Sequence, residues 1–509
     1  MFFSKSTKKN RGMNQQRRLF ADTANVSTAN VIIAGTQLCE IIILARTLHP
    51  ADIGVIAIIA VILGLLRSLA DLGTGNALIH FQSVSRAAFS SLYWLLITVG
   101  AAFFGAFAVG RSLFESIAPH SPLTPLLGWI GLNVCIYSIG ILYHYQFQKE
   151  QRFRRIAIVE SLARCLGTAT VAVLALTHHG IFSYVAGQIV YSGVKSALLL
   201  FGGLRLMPLS PVFDLSALRP FLRFGAFQMG ERVVTFFSAN IDYLVIGKFL
   251  GAQDLGFYKI AYELVTVPLR LINPIFGTVA LPRFAKKQHD DAVLRKGILS
   301  MLRLLGLVTF PLLFGLAAIA AALVPAVYGG GWDRVVPLVW LLTGMGLFKI
   351  IGNVAGTVLI AKGLVSIAFV WNCIISVGNL AAFLIAVRWG TAGVAAAYSV
   401  ISLIYLLVSF PWYYFRTIGL TMRAWISSFL PFAAQAAAMG GIVYLTSLVL
   451  APLHLPPGFS LSILIPLGIL TYMAISIAAM KKERNRLWQG IRSGEHIPLF
   501  NILIGEDAG

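Results

Sequence analysis

Apolar residues run along this chain in long blocks, and the polar residues gather in short clusters between them. The blocks reach about 20 residues or more, the length at which a helix crosses the hydrocarbon core of a bilayer. They predict fourteen spans: 24–46, 53–80, 87–109, 122–144, 156–177, 181–204, 221–247, 254–281, 297–323, 334–361, 364–387, 391–415, 424–450 and 459–480. The tenth is rich in glycine. The short two-residue alternation of a membrane barrel is missing. The pattern therefore predicts an all-α polytopic membrane protein with about 14 transmembrane helices.

Composition supports this class. Of the 509 residues, 58% are hydrophobic and 12% charged, against about 25% charged in soluble domains, which argues against a water-soluble enzyme. The net charge of +21 would suit a nucleic-acid binder only if the cations shared one folded face. Instead they occupy the inter-span segments, as in a chain whose orientation they fix. With the basic N-terminal segment (Lys5, Lys8, Lys9, Arg11, Arg17, Arg18) in the cytoplasm, the inside segments are 81–86, 145–155, 205–220, 282–296, 362–363, 416–423 and the tail from Lys481. About 27 cations then lie inside and about 5 outside, the asymmetry of the positive-inside rule. Fourteen spans with both termini cytoplasmic is the expected topology. The longest outside segment, 110–121, is too short for a soluble domain, so any chemistry must occur within the membrane or at its surfaces. No signal peptide follows the basic start. Cys39, Cys135, Cys165 and Cys373 all fall in apolar runs without a CxxC pair and read as small buried hydrophobes.

The chain also repeats itself. EIIILARTLHPADIG (40–54) aligns with DYLVIGKFLGAQDLG (242–256) at a constant offset of 202 residues. Glu40 meets Asp242, Arg46 meets Lys248, Asp52 meets Asp254 and Gly54 meets Gly256. Six spans separate the copies, so both run the same way through the membrane. A parallel repeat of this kind is common in transporters, with substrate held between the halves.

Charges inside spans are costly, about 2.5–3.5 kcal/mol each at a helix centre on insertion scales. They include Glu40, Arg67, Asp71, Glu160, Arg164, Lys195, Glu231, Arg232, Asp242, Lys259, Glu263, Arg270, Arg303 and Lys349. Arg67/Asp71, Glu160/Arg164 and Lys259/Glu263 are four residues apart, which puts each pair on one helix face. The structural explanation is an ion pair within each helix. Arg67, Arg270 and Lys349 lie near mid-membrane, where snorkelling is difficult. Arg67 and Arg270 occupy equivalent spans, one position out of register, and Arg270 is bracketed by Pro268 and Pro274. The functional expectation is a cavity whose cargo is anionic: Arg67, Arg270 and Lys349 bind it, with Arg164, Arg232 and Arg303 as further candidates. Asp71 would position Arg67, and Asp71, Glu263, Glu40 and Asp242 would serve coupling or gating. A planar guanidinium can bond two phosphate oxygens at once. The recurring aromatics, among them Tyr137, Tyr262, Trp371 and Tyr398, suit sugar stacking but fit interfacial belts and packing better. His178 and His179 read as solvated loop residues.

Two stretches carry a family resemblance. FLRFGAFQMGERVVTFFSANIDYLVIGKFLGAQDLGFYKIAYELVTVPLRLINPIFGTVALPRF (221–284) and ADIGVIAIIAVILGLLRSLADLGTGNALI (51–79) resemble the Wzx-type polysaccharide and O-antigen flippases. These belong to the multidrug/oligosaccharidyl-lipid/polysaccharide exporter superfamily. The resemblance covers about 1–420. It implies two pseudo-symmetric six-helix lobes plus two C-terminal helices: a basic N-terminal segment (1–23), an N-lobe (24–204), a linker (205–220), a C-lobe (221–415), a final helix pair (424–480) and a tail (481–509). It also implies a transporter, not an enzyme, in the bacterial inner membrane. Such a transporter flips undecaprenyl-pyrophosphate-linked oligosaccharide by alternating access and needs no cofactor. Proton or sodium coupling, membrane lipids, and a polymerase with export machinery follow as partners, and nucleic acid does not. Two rivals share some features. A cationic-drug exporter should favour buried acids, and a membrane glycosyltransferase or polymerase should carry sizeable outside loops.

Overall fold

The structure, a computed structural model, describes residues 28–479 except position 82 and residues 118–121, 273–283, 285–286 and 454. The basic segment 1–23, the tail 481–509 and Pro274 lie outside the described residues. The main helices are α1 (Thr28–Thr47), α2 (Pro50–Ala70), α3 (Thr74–His80), α4 (Arg86–Ile117), α5 (Leu127–Lys149), α6 (Phe153–Leu176), α7 (Phe182–Gly203), α8 (Leu215–Phe249), α9 (Ala252–Ile272), α10 (Asp291–Tyr328), α11 (Val335–Ala361), α12 (Val365–Ala386), α13 (Gly390–Phe410), α14 (Met422–Leu450) and α15 (Pro457–Ala479). No β-strand occurs among the described residues.

Each of the fourteen predicted spans overlaps helix among the described residues, the second of them in two pieces. Eleven helical stretches among the described residues are long and apolar enough to cross a membrane, one of them running through both α12 and α13. α8 and α9 are not among the eleven. These two helices carry Glu231, Arg232, Asp242, Lys259, Glu263 and Arg270. This is a multi-pass helical membrane protein.

The chain divides into two compact units, Met1–Gly247 and Lys248–Gly509. In the first, α5 packs against α4 and α7, and α6 packs against α7. In the second, α10 packs along α14, and α11 packs against α9, α10 and α13. Local sequence starts several helices. Pro50 opens α2 while the Asp52 carboxylate accepts the His49 amide at 3.1 Å. Asp290 caps α10 by accepting the Ala292 and Val293 amides, both at 3.1 Å. These contacts satisfy N–H groups that a helix start leaves without a partner.

The internal repeat is visible as a helical corner. α1 ends at Thr47 and α2 begins at Pro50, while α8 ends at Phe249 and α9 begins at Ala252. Both boundaries recur at the 202-residue offset. The second predicted span is not one helix. It breaks after Ala70, where Leu72 and Gly73 take positive φ values of 51° and 66°. Close packing explains the break. A Cβ on Gly73 would lie 2.3 Å from the Gly225 carbonyl oxygen, and one on Gly225 would lie 2.4 Å from the Leu72 oxygen. The α2–α3 break and α8 therefore meet backbone to backbone. The cysteines also differ from expectation: Cys39 and Cys165 are exposed, Cys135 and Cys373 half-buried, and all four are free thiols. In a chain that presents apolar surface to lipid, an apolar run need not be interior.

Candidate functional site

Arg67 lies three residues before the end of α2, and its guanidinium meets neutral groups. Nη2 donates to Asn133 Oδ1 (2.9 Å), Ser192 Oγ (3.2 Å) and Gln188 Oε1 (3.3 Å). Its Nε is buried without a hydrogen-bond partner among the described residues. The Tyr137 and Tyr191 rings lie 5.6 and 5.8 Å from the guanidinium carbon, within cation–π range. Asn133 is itself fixed, donating to the Gln188 carbonyl (2.7 Å) and Ser192 Oγ (3.2 Å).

Arg67 opens onto a cavity of about 300 Å³ within the first unit, lined also by Gln37, Glu160, Arg164, Gln188 and Tyr191. Around it the charges pair between helices. Lys195 of α7 meets Glu160 of α6 at 2.5 Å, and the Tyr191 hydroxyl donates to the same carboxylate at 2.8 Å. Arg164 of α6 lies 3.8 Å from Glu40 of α1, which also accepts the Thr168 hydroxyl at 3.2 Å. The expected Glu160/Arg164 pair within α6 is thus replaced by two pairs to neighbouring helices. Closer partners on α1 and α7 are available to both groups.

Asp71 does not hold Arg67, as the sequence suggested. The helix break sends its carboxylate elsewhere, where Arg232, the Tyr145 hydroxyl (2.6 Å) and the Gly75 amide (3.3 Å) donate to it. Asp71 is 1% exposed. Arg232 belongs to this contact and not to the Arg67 cavity.

In the second unit, the expected Lys259/Glu263 pair is present at 3.9 Å. Glu263 also receives the Arg270 guanidinium, which reaches Thr266 Oγ1 at 3.4 Å. Arg270 stays 42% exposed. Lys349 and Arg303 are exposed on α11 and α10, and the Lys349 ammonium lies 5.8 Å from the Tyr398 ring centre. Glu40 and Asp242, equivalent in the repeat, are both buried. Among the described residues, no three His, Cys, Asp or Glu side chains are grouped to hold a metal ion. His178 and His179 are exposed in the α6–α7 loop.

The sequence reading named Arg67 but missed Asn133, Gln188 and Ser192. A signal was present: Gln188, Tyr191, Ser192 and Lys195 recur at three- and four-residue intervals in α7, one helix face. Polar residues without charge are cheap enough in a span to attract little notice.

The comparisons with known proteins agree on family and fold. The model of the polysaccharide biosynthesis protein family matches residues 43–337. The teichuronic acid biosynthesis protein TuaB of Bacillus subtilis is 32% identical over 418 residues, covering 82% of this chain and 86% of that protein. The lipopolysaccharide biosynthesis protein WzxC of Escherichia coli is 30% identical over 406 residues, covering 79% and 82%. Among solved structures, the lipid II flippase MurJ in an inward closed conformation superposes with a TM-score of 0.73. That match has 18% identity and covers 90% of this chain and 99% of that one, a likeness of fold. The family match over more than half the chain, with relatives of this identity and coverage, establishes that the chain belongs to the polysaccharide biosynthesis protein family.

Proposed function

We propose that this protein flips an undecaprenyl-pyrophosphate-linked oligosaccharide from the cytoplasmic to the periplasmic leaflet of a bacterial inner membrane, by alternating access. The observation that carries the reading is Arg67. It is a permanent cation on a membrane helix, held by neutral acceptors and facing a polar cavity. An arginine already neutralised by a carboxylate would have little left to offer a diphosphate. One held by amide and hydroxyl oxygens keeps its charge for an anion. The relatives named for lipopolysaccharide and teichuronic acid biosynthesis support a glycan cargo, and the MurJ-like fold supports a lipid-linked one.

In this cycle Arg67 binds the pyrophosphate, and Arg164 at the cavity wall assists once cargo draws it from Glu40, 3.8 Å away. Arg270 and Lys349 serve the same cargo from the second unit, with Arg303 as a further contact. Glu263, paired with both Lys259 and Arg270, is positioned to exchange cations as cargo arrives. Asp71, Glu40 and Asp242 hold neighbouring helices during the motion. A proton or sodium gradient drives the step, with both termini cytoplasmic and the polymer-forming machinery taking the product.

Purified protein in vesicles, with a fluorescent undecaprenyl-pyrophosphate oligosaccharide, tests this directly. Wild type should move the sugar to the opposite leaflet. Arg67→Ala should slow this about tenfold or more, as expected for a lost charge-assisted hydrogen bond of about 1.5–3 kcal/mol. Arg67→Lys should fall between. Unchanged flipping by Arg67→Ala at normal protein levels would remove Arg67 from the mechanism.

A further inference from the structure

The turn before α6 and the first turn of α6 hold a second, separate cluster of cations. Arg152, Arg154 and Arg155 rim a surface groove of about 510 Å³ whose walls include Ile158, Leu162 and Leu198. Arg152 is partly neutralised by Glu150 at 2.8 Å. Arg154 is exposed and makes no ion pair or hydrogen bond with the described residues. Arg155 is held in place without a carboxylate. Its guanidinium carbon sits 4.7 Å from the Phe147 ring centre, and one of its nitrogens fills the space beside Gly202, 1.8 Å from where a Cβ would stand.

Below the arginines the surface turns apolar in one line. Arg154, Ile158, Leu162 and Leu166 are four residues apart along α6, so they share a face, and the three apolar members are each about half exposed. Twelve residues of helix cover about 18 Å, close to the depth of one leaflet, about 15 Å of hydrocarbon. Glu160, which faces the Arg67 cavity, lies two positions from Ile158 and so on the other side of α6. We infer that this groove is a binding site for an anionic phospholipid, its headgroup phosphate on Arg154 and Arg155 and an acyl chain along Ile158, Leu162 and Leu198. A net positive rim selects a lipid with net negative charge, and the apolar stripe requires the phosphate to arrive with its chain attached. The site is independent of the flipping reaction.

Native mass spectrometry of the full-length protein tests the assignment, with phosphatidylglycerol and phosphatidylethanolamine of identical acyl chains as probes. Phosphatidylglycerol should be retained preferentially. Arg154→Gln/Arg155→Gln should weaken it about 20-fold, each guanidinium near a lipid surface being worth about a factor of five. Arg416→Gln/Arg423→Gln, which removes the same charge elsewhere, should leave retention unchanged. Equal retention of both lipids, no loss in the first double variant, or equal loss in the second would overturn the site. So would displacement by inorganic diphosphate, which would mark an anion site without a lipid requirement. Should the first variant not fold, phosphatidylglycerol with a diazirine on its acyl chain is applied to wild type. Crosslinks should map to the peptides carrying Ile158, Leu162 and Leu198, and crosslinks confined to other helices would reject the proposal.

Discussion

Asp71 and Arg232, 161 residues apart in the chain, join as an ion pair where the α2–α3 break meets α8. Asp71 is nearly inaccessible, and Tyr145 and Gly75 also donate to it. Removing one member of a buried pair leaves the other charge uncompensated, at a cost of about 3–5 kcal/mol. Asp71→Ala should therefore lower the thermal midpoint in detergent and reduce the amount of folded protein. Asp71→Asn keeps an acceptor for Tyr145 and should lose less. An Asp71→Ala protein melting like wild type would show that this contact does not anchor the break.

The partner exchange around α6 gives a sharper test. Glu160 pairs with Lys195 across helices and not with Arg164 one turn away. A double-mutant cycle on thermal stability should find coupling of about 1 kcal/mol or more between Glu160→Gln and Lys195→Met. The cycle between Glu160→Gln and Arg164→Met should show less than half of that. The reverse order would restore the pairing within the helix.

These pairs mark where the sequence ceased to be legible. Spans, helical class and repeat could be read because each depends on local composition or on a fixed offset. Even the corner between α1 and α2 recurs between α8 and α9 at the expected place. The partners of Arg67, Asp71, Glu160 and Arg164 depend on which helices adjoin, and spacing of four residues says only which groups could meet. The α2–α3 break was hidden because its cause is distant: Gly73 faces Gly225. Arg67 stood out as a charge among apolar residues, whereas Asn133 and Gln188, which hold it, did not.

The glycines at that crossing permit a clean comparison. Gly73→Ala meets both a left-handed backbone and the Gly225 carbonyl, and Gly225→Ala meets the Leu72 carbonyl. Each must move main chain to relieve the overlap, and each should cost about 1–3 kcal/mol. Gly105→Ala has nothing within 4 Å of the new methyl and should be neutral or slightly stabilising. Thermal midpoints of the three proteins check the order. A neutral Gly73→Ala would mean that the backbones need not approach this closely.

Asp214 supplies a pH dependence outside the spans. It precedes α8 and accepts the Ser216 hydroxyl (2.6 Å), the Ser216 amide (2.9 Å) and the Ala217 amide (3.3 Å). The Ser216 hydroxyl above all, then the two amides, hold its carboxyl below the usual carboxylate range. A lowered folded value contributes stability above the unfolded value, about 3.9, and that contribution is lost as pH falls through the folded value. The stability difference between wild type and Asp214→Asn should be level near neutrality and shrink in acid. Ser216→Ala should move the loss to higher pH. A difference that grows as pH falls would have the wrong sign for this cap.

The cations of the second unit can be tested for what they face. Arg270, Arg303 and Lys349 are exposed within α9, α10 and α11, and surface inside a span faces either lipid or water. An ionised side chain at mid-membrane is stable only beside water or a partner charge. All three positions should therefore react, as single cysteines, with a charged, water-soluble thiol reagent in intact vesicles. The background is accessible, because Cys39, Cys135, Cys165 and Cys373 are free and none is fully buried, so their replacement by Ala should be tolerated. Labelling at 270 and 349 that is slowed by lipid-linked oligosaccharide would link these cations to the cargo path. Position 377, an exposed valine midway along α12, serves as the control and should stay unlabelled. Should Arg270→Cys and Lys349→Cys prove as inert as Val377→Cys, these cations face no aqueous path, and cargo binding would rest on the first unit alone.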